Sequence, residues 1–327
     1  MDREAIREFL LENGADLVGF TGAEPFADWG AEFESRLKDG TLPGHYAGTL
    51  NPDPRHYVTE ASSIVVIGVM YEGLSLVEDT GRGSIAGIAW SRKKERELSG
   101  LLAQHLVESG CQARDVTGIP VKAAAARAGL ATQRKNSLAY FEPGGSAVRI
   151  GTVVTDLVLA PDPPADFDPC GACTLCLDAC PTGALIAEHV IDVQRCLCYV
   201  LEHDSTLPAG SQQAMGNRIV GCETCQLVCP LNRDVPTRPL DEVPWLDLLS
   251  LAREAVERPD GLVSLLRDEL SLPVYSDYTP LRAVSIALGN WGDPAAIPHL
   301  EALAESDHPE VARAARWSLQ RVRVTGA

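Results

Sequence analysis

Positive charge is scarce in this chain. Against 45 Asp and Glu stand 28 Lys and Arg, which leaves a formal net charge of −17 over 327 residues. Proteins that grip nucleic acid draw much of their affinity from neutralising phosphates with a basic field. This balance argues against such a field. Long apolar runs are missing too. The longest, around Ile64 to Met70, has the length of a buried strand and falls far short of the roughly 20 residues of a membrane span. The start, Met-Asp-Arg-Glu, shows neither a basic leader region nor a long apolar stretch behind it. A cytoplasmic protein with no membrane partner is expected. Cysteine is almost absent outside one window: nine of the ten lie between Cys170 and Cys229. A disulfide framework would spread them through a small secreted chain, whereas this crowding points to metal. Cys111, outside the window, reads as a plain buried thiol.

What is present supports a folded, multidomain chain. An apolar fraction of 45% is enough for a sizeable core. Over residues 1–160 helix and strand signals alternate. Ala5, Ile6, Phe9 and Leu10 recur at helical spacing, with Asn13-Gly14 as a stop. Leu17 to Thr21, Ser63 to Tyr71 and Thr152 to Leu159 read as strands, and Leu98, Leu101, Leu102 and Leu106 mark one helix face. The proline-rich stretch from Pro161 to Pro169 reads as a linker into a cysteine module over residues 161–240. Residues 241–327 turn to short helices. Leu281 to Leu288, Ala295 to Ala304 and Pro309 to Val322 are separated by Asn290-Trp291-Gly292-Asp293-Pro294 and by Ser306-Asp307-His308, a pattern similar to a HEAT-type repeat. Arg92, Lys93, Lys94 and Arg96 form a local basic cluster that reads as a solvated helix face, and Glu142 to Ser146 reads as a hairpin turn.

The cysteines carry the chemistry. Residues 170–185 read CGACTLCLDACPTGAL. This is C-x2-C-x2-C-x3-C-P, the bacterial ferredoxin run whose fourth cysteine ligates the other cluster. Three closely spaced thiolates can wrap one cubane from a tight loop. Cys180 is expected to open the following helix and point away, with Pro181 at the first helical position. Cys222, Cys225, Cys229 and Pro230 repeat the run without its first cysteine, which Cys196 can replace. The cross-over rule then assigns Cys170, Cys173, Cys176 and Cys229 to one [4Fe–4S] cluster, and Cys180, Cys196, Cys222 and Cys225 to a second. Cys198 is left over. Four-cysteine zinc sites also use C-x2-C, but they rarely carry a full run followed by a second, partial one. Two linked clusters make a wire, which needs a partner protein or a second cofactor at its end.

The stretches CGACTLCLDACPTGAL, RCLCYVLEH (Arg195 to His203) and GNRIVGCETCQLVCPLN (Gly216 to Asn232) closely resemble the epoxyqueuosine reductase family, cobalamin-dependent iron–sulfur enzymes of queuosine synthesis in tRNA. The resemblance extends more thinly to Val18-Gly19-Phe20, to Ala126 through Leu130, to Lys135-Asn136-Ser137 and to ALGNWGDPAAIPHL (Ala287 to Leu300). It implies an α+β multidomain protein: an N-terminal α/β cobalamin-binding-like domain, a ferredoxin-like two-cluster module and a C-terminal HEAT-like helical repeat. It also implies a base-off corrin, with Lys135, Asn136, Tyr199 and His203 as contacts. The absence of an Asp-x-His-x-x-Gly signature agrees with that. Counting back without a gap from Ala128-Gly129-Leu130 places the family's proton-donating aspartate on Asp115. His203 could alternatively donate to a cluster sulfide and tune its potential. Asn217 and Arg218 are read as holding the loop into the second run.

Departures from the family fall on the substrate side. Its Gly-Trp-x-Gly-Lys core reads Ala131-Thr132-Gln133-Arg134-Lys135 here, its Asp-Tyr-His reads Ala89-Trp90-Ser91, and Leu270 to Tyr278 carries no positive residue. From Asp241 to Ala327 eight arginines and no lysine face fourteen carboxylates. An oxidoreductase of this family is expected, acting on epoxyqueuosine in tRNA or, as a divergent relative, on a small molecule, with tRNA disfavoured by acidity. The rival reading is an electron-transfer protein without corrin chemistry. Either implies an electron donor of flavodoxin or ferredoxin type, or another reductase.

Overall fold

A computed structural model describes residues 2–75, 81–165, 170–208, 210–238 and 246–325. Residues 166–169 of the expected linker, and the expected boundary at 240/241, lie outside the described residues. The centre of the N-terminal half is a four-stranded antiparallel sheet of β1 (Leu17–Gly22), β2 (Ser63–Met70), β3 (Ala113–Asp115) and β4 (Val148–Thr155), in the order β1-β2-β4-β3. Ser-Ile-Val-Val-Ile-Gly-Val-Met reads as an unbroken apolar run because β2 is central and covered on both faces, with all but Met70 buried. On one face Val65, Ile67 and Val69 pack with Ile6 and Leu10 of α1 (Arg3–Glu12) and with Leu98, Leu102 and Leu106 of α3 (Arg92–Glu108). On the other, Ile64, Val66 and Val154 meet Ala124 and Ala125 of α4 (Val121–Arg127). α2 (Ala27–Lys38) runs beside that second face and presents Phe33 inward.

The cysteine segment is woven into this half. Ser84–Ile85 pairs in parallel with Arg218–Val220, and Leu74–Ser75 with Thr237–Arg238. The Arg36 guanidinium of α2 donates to the Ile191 carbonyl, and the Val193 amide donates to Thr41 O at 2.9 Å. The start of the linker is pinned as well: the Phe20 amide donates to the Asp162 carboxylate at 2.9 Å.

At the C-terminal end, α7 (Thr279–Trp291), α8 (Ile297–Ala304) and α9 (Pro309–Thr325) follow α5 (Leu197–Glu202) and α6 (Leu248–Glu257) in the chain. Leu251, Val284, Leu288 and Val311 share one core with Ile219, Val220 and Ile85. Buried Arg282 of α7 donates to Val200 O at 2.6 Å and to Ser205 O at 2.5 Å, so the helical end is latched onto α5 and its thiols. His308 stacks on Tyr278, centroids 3.7 Å apart.

Candidate redox site

The two cysteine runs fold as matching short loops, each followed by one helical turn: Leu175–Asp178 in the first and Thr224–Leu227 in the second. Cys180 does not open a helix, contrary to expectation. It follows the Leu175–Asp178 turn, and Pro181 and Thr182 form a turn into the strand Leu185–Ala187. Gly183, at φ +58°, turns the chain at once into that strand, and the Ala184 amide donates to Cys180 Sγ at 3.2 Å, so no helix follows the cysteine.

Cys170, Cys173, Cys176 and Cys229 line one cavity of about 460 Å³, together with Arg134, Lys135, Asn136 and Tyr140. The other four lie in each other's field. Burial, then Cys222 and Cys180, push the Cys196 thiol up to about 12. Burial, then Cys222, Cys196 and Cys180, raise Cys225. Such thiols give up their protons only to metal, which couples loading to proton release. Among the described residues, no three His, Cys, Asp or Glu side chains could hold a single ion.

Cys198 is occupied elsewhere. Its thiol donates to Glu202 Oε1 at 3.2 Å. Burial raises the Glu202 carboxyl to about 7, against the Cys198 hydrogen bond and the pull of Arg149 and Arg92. Nothing in the sequence pattern singled out Glu202. A second unforeseen network holds the Cys229 loop: Asn232 Nδ2 donates to Ser146 Oγ at 2.8 Å and to Gln226 O at 2.9 Å, and Ser146 N donates to Asn232 Oδ1 at 2.9 Å. The hairpin-like turn at Glu142 to Ser146 thus buttresses the second run. Arg218 donates to Met215 O at 2.7 Å and Thr224 Oγ1 at 2.6 Å, and Asn217 to Arg82 O at 2.8 Å. Both tie down the loop ahead of Cys222.

The residues singled out as corrin contacts fall into two groups. Tyr199 and His203 stack at 4.4 Å, and His203 sits 5.6 Å from the His45 ring and 4.7 Å from Tyr275, with the Arg92 guanidinium over Tyr275. Lys135 and Asn136 lie apart from them, buried against the first thiol set. Lys135 Nζ donates to Gly171 O at 2.6 Å and pairs with Glu188 at 2.7 Å, and Asn136 Nδ2 donates to Tyr140 Oη at 2.9 Å. Asp115 ends β3 and faces α3. Burial and the nearby Glu95 raise its carboxyl, and Oδ1 is buried without a hydrogen-bond partner. The basic cluster divides similarly: Lys93 pairs with Glu97 along α3, while Arg92 turns toward Tyr275.

A larger cleft of about 1220 Å³ opens between α2, residues 117–123 and the ferredoxin module. Trp29, Phe33, Tyr46, Ile119, Ile191 and Val193 make it largely apolar, and Arg36, Lys122 and Gln133 add polar groups. Tyr46 and Val193 also pack on the apolar cluster that Cys196 and Cys222 adjoin. The cleft therefore borders the second thiol set. Asp115 is not in its lining; Thr117 is.

Two four-cysteine sets spanning a ferredoxin-type loop pair, in a mixed α/β fold with a large cleft beside them, define an iron–sulfur oxidoreductase. A 4Fe-4S double cluster binding domain matches residues 169–232. An epoxyqueuosine reductase of Xanthomonas campestris is 32% identical over 70% of this chain and 69% of its own length. A crystal structure of epoxyqueuosine reductase with an epoxyqueuosine-modified tRNA-Tyr stem loop superposes with a TM-score of 0.83, at 27% identity over 98% of this chain and 90% of that one. One from Bacillus subtilis, with its catalytic aspartate loop swung out of the active site, gives 0.82 at 27% identity over the same shares. The chain belongs to the epoxyqueuosine reductase family. No helix among the described residues is long and apolar enough to cross a membrane.

Proposed function

We propose that this chain removes the epoxide oxygen of epoxyqueuosine in tRNA, with a cobalamin seated in the 1220 Å³ cleft. The observation that carries this reading is the cleft's position: Tyr46 and Val193 line it and also pack on the apolar cluster that Cys196 and Cys222 adjoin, so an acceptor there takes electrons from the second set. The residues suit a corrin. Trp29, Phe33, Tyr46 and Ile119 offer apolar faces to the macrocycle, Arg36, Lys122 and Gln133 offer partners to its amide arms, and no histidine lies in the described lining, in keeping with a base-off mode. Bound cobalamin supplies a strongly reducing centre for carbon–oxygen cleavage.

In this reading Cys170, Cys173, Cys176 and Cys229 hold one [4Fe–4S] cluster, and Cys180, Cys196, Cys222 and Cys225 the other. Tyr199 and His203 brace the Tyr46 side of the cleft, while Lys135 and Asn136 position the first cluster's loop. The α7–α9 helices form a HEAT-type unit that closes over α5. Converting an epoxide to an alkene and water consumes two electrons and two protons. Asp115 supplies one proton once the end of β3 and the loop after it shift to carry it from α3 into the cleft; a relative has its catalytic aspartate loop swung out of the active site. A carboxyl already raised by burial is suited to that role.

The test uses anaerobic protein loaded with both clusters and cobalamin, a low-potential reductant and an epoxyqueuosine-bearing anticodon stem loop. Mass analysis should show loss of one oxygen from the nucleoside. Asp115→Asn should lower turnover by about a hundredfold, the usual scale for a lost general acid, with cobalamin binding and iron content unchanged. Unaltered turnover in that variant would remove Asp115 from the mechanism. The −17 charge favours a second reading, reduction of a small-molecule epoxide, and that reading gains if cobalamin binds while the stem loop is not turned over.

A further inference from the structure

Four stretches remote from one another in the chain bring aromatic rings and cations to one place. Tyr199 and His203 stack at 4.4 Å with their planes 16° apart, and the His45 ring lies nearly parallel to both, at 6.0 and 5.6 Å. Tyr275 adds a ring 4.7 Å from His203. This ladder reaches solvent: His45 is exposed and Tyr275 is 54% exposed. Tyr46, 4.5 Å from His45, joins it to the 1220 Å³ cleft, and the Arg92 guanidinium lies over Tyr275. One turn along α3, Arg96 lies in the field of Arg92 and also in that of Asp115. Lys93 of the same helix pairs with Glu97, but neither arginine has a hydrogen bond or ion pair among the described residues. Arg92 is half-buried, so it has given up water without gaining an acceptor, an arrangement that a bound anion repairs.

We propose that this ladder is a stacking platform for an unpaired base of an RNA loop, with Arg92 and Arg96 holding the phosphate beside it. The inference rests on the tRNA reading above and deepens it, and it makes no use of cobalamin. Ring faces select flat π-systems, and guanidinium groups select phosphate. Unpaired RNA offers both within one nucleotide. A duplex hides its bases in its own stack and offers phosphate alone. The platform suits a chain with a net charge of −17, because stacking draws on ring area and needs no basic field. Leu270 to Tyr278 carries no positive residue, yet it supplies Tyr275. Two cations on phosphate imply a shallow salt dependence, about 0.7 in log–log slope for each. Because Tyr46 belongs to both ladder and cleft, a base held on the platform leaves the neighbouring nucleotide at the cleft.

The experiment uses the full chain, purified anaerobically with both clusters, and a fluorescein-labelled anticodon stem loop bearing epoxyqueuosine. Anisotropy gives its affinity across about 50 to 200 mM salt. Tyr275→Ala should weaken binding about tenfold with the salt slope unchanged, the scale of one lost base stack, while Tyr275→Phe should stay within about twofold of the parent. Arg92→Gln should weaken binding and lower the slope by about 0.7. A blunt duplex of the stem alone should not distinguish Tyr275→Ala from the parent. Unchanged stem-loop affinity in the alanine variant overturns the proposal, and so does an equal loss with the duplex, which would make Tyr275 structural. If the alanine costs iron, His45→Ala decides instead: a fall of about tenfold with the stem loop alone supports the platform, and no fall removes it. A parent that fails to bind the stem loop at all sinks the tRNA reading as well, a failure distinct from binding that ignores the rings.

Discussion

Two cysteines only two positions apart have opposite fates. Cys196 has extended backbone, φ −68° and ψ 123°, just ahead of α5, so its thiol swings toward Cys222 and Cys180. Cys198 lies one step inside the helix, where side chains two apart do not share a face, and its thiol is bound to Glu202. Substitution should separate them. Cys196→Ser is expected to remove about half the iron, because one of two clusters loses a ligand, while Cys198→Ser should leave the iron count and visible spectrum unchanged. Iron analysis on anaerobic protein decides it; loss of iron from the Cys198 variant alone would exchange their roles. The spacing of the runs made Cys196 legible as a stand-in. Glu202, which keeps Cys198 engaged, could not be read, because an isolated Glu in a helical stretch has the appearance of a solvated one.

Among the elements, α4 and the segment after it show how a short motif carries long-range structure. Gly129 follows the end of α4 with φ +71°, and a Cβ there would lie 2.3 Å from the Pro163 carbonyl oxygen. The Ala165 amide donates to Ala126 O at 3.2 Å. The first half of the proline-rich linker is therefore packed on α4, and α4 in turn supplies Val121 and Lys122 to the cleft. Gly129→Ala meets both a left-handed backbone and a backbone clash. It should cost more than about 2 kcal/mol, read as a lowered midpoint in denaturant, together with weaker cobalamin binding. A variant as stable as the parent would show that the linker can lift from α4 without consequence. Elements with a one-sided apolar period, such as α1 and α3, were legible from spacing alone. The pairing of Ser84–Ile85 with Arg218–Val220 was not, because two- and three-residue strands carry no period.

For the whole molecule, charge is the quantity that bears on the substrate. A protein making six to ten phosphate contacts loses about 10³ to 10⁵ in affinity between 50 and 200 mM salt. With −17 overall and no positive residue from Leu270 to Tyr278, few such contacts are expected. Binding of an epoxyqueuosine-modified stem loop should therefore be weak and change by less than about tenfold across that range, as fluorescence anisotropy would measure. A steep slope would show that a local cleft, such as the one holding Arg36 and Lys122, outweighs the global charge.

The sequence by itself determined the iron–sulfur chemistry. Ligand spacing in a tight loop is a local property, and the C-x2-C-x2-C-x3-C-P run states it without reference to the rest of the chain. It determined the two-sided burial of β2 for the same reason, since an unbroken apolar run needs cover on both faces. Tertiary structure decided where the candidate partners of those clusters lie. Asp115 sits on the α3 face of the sheet because its side chain alternates with Arg114 along β3, a direction that an ungapped match cannot show. Lys135 and Asn136 lie against the loop of Cys170 to Cys176, apart from Tyr199 and His203, because the chain between them runs back through β4 of the sheet before it enters the cysteine module. The cleft is made by side chains drawn from α2, residues 117–123 and Ile191 to Val193. Contacts across such distances in the chain leave no period and no motif, so only the folded molecule could assemble it.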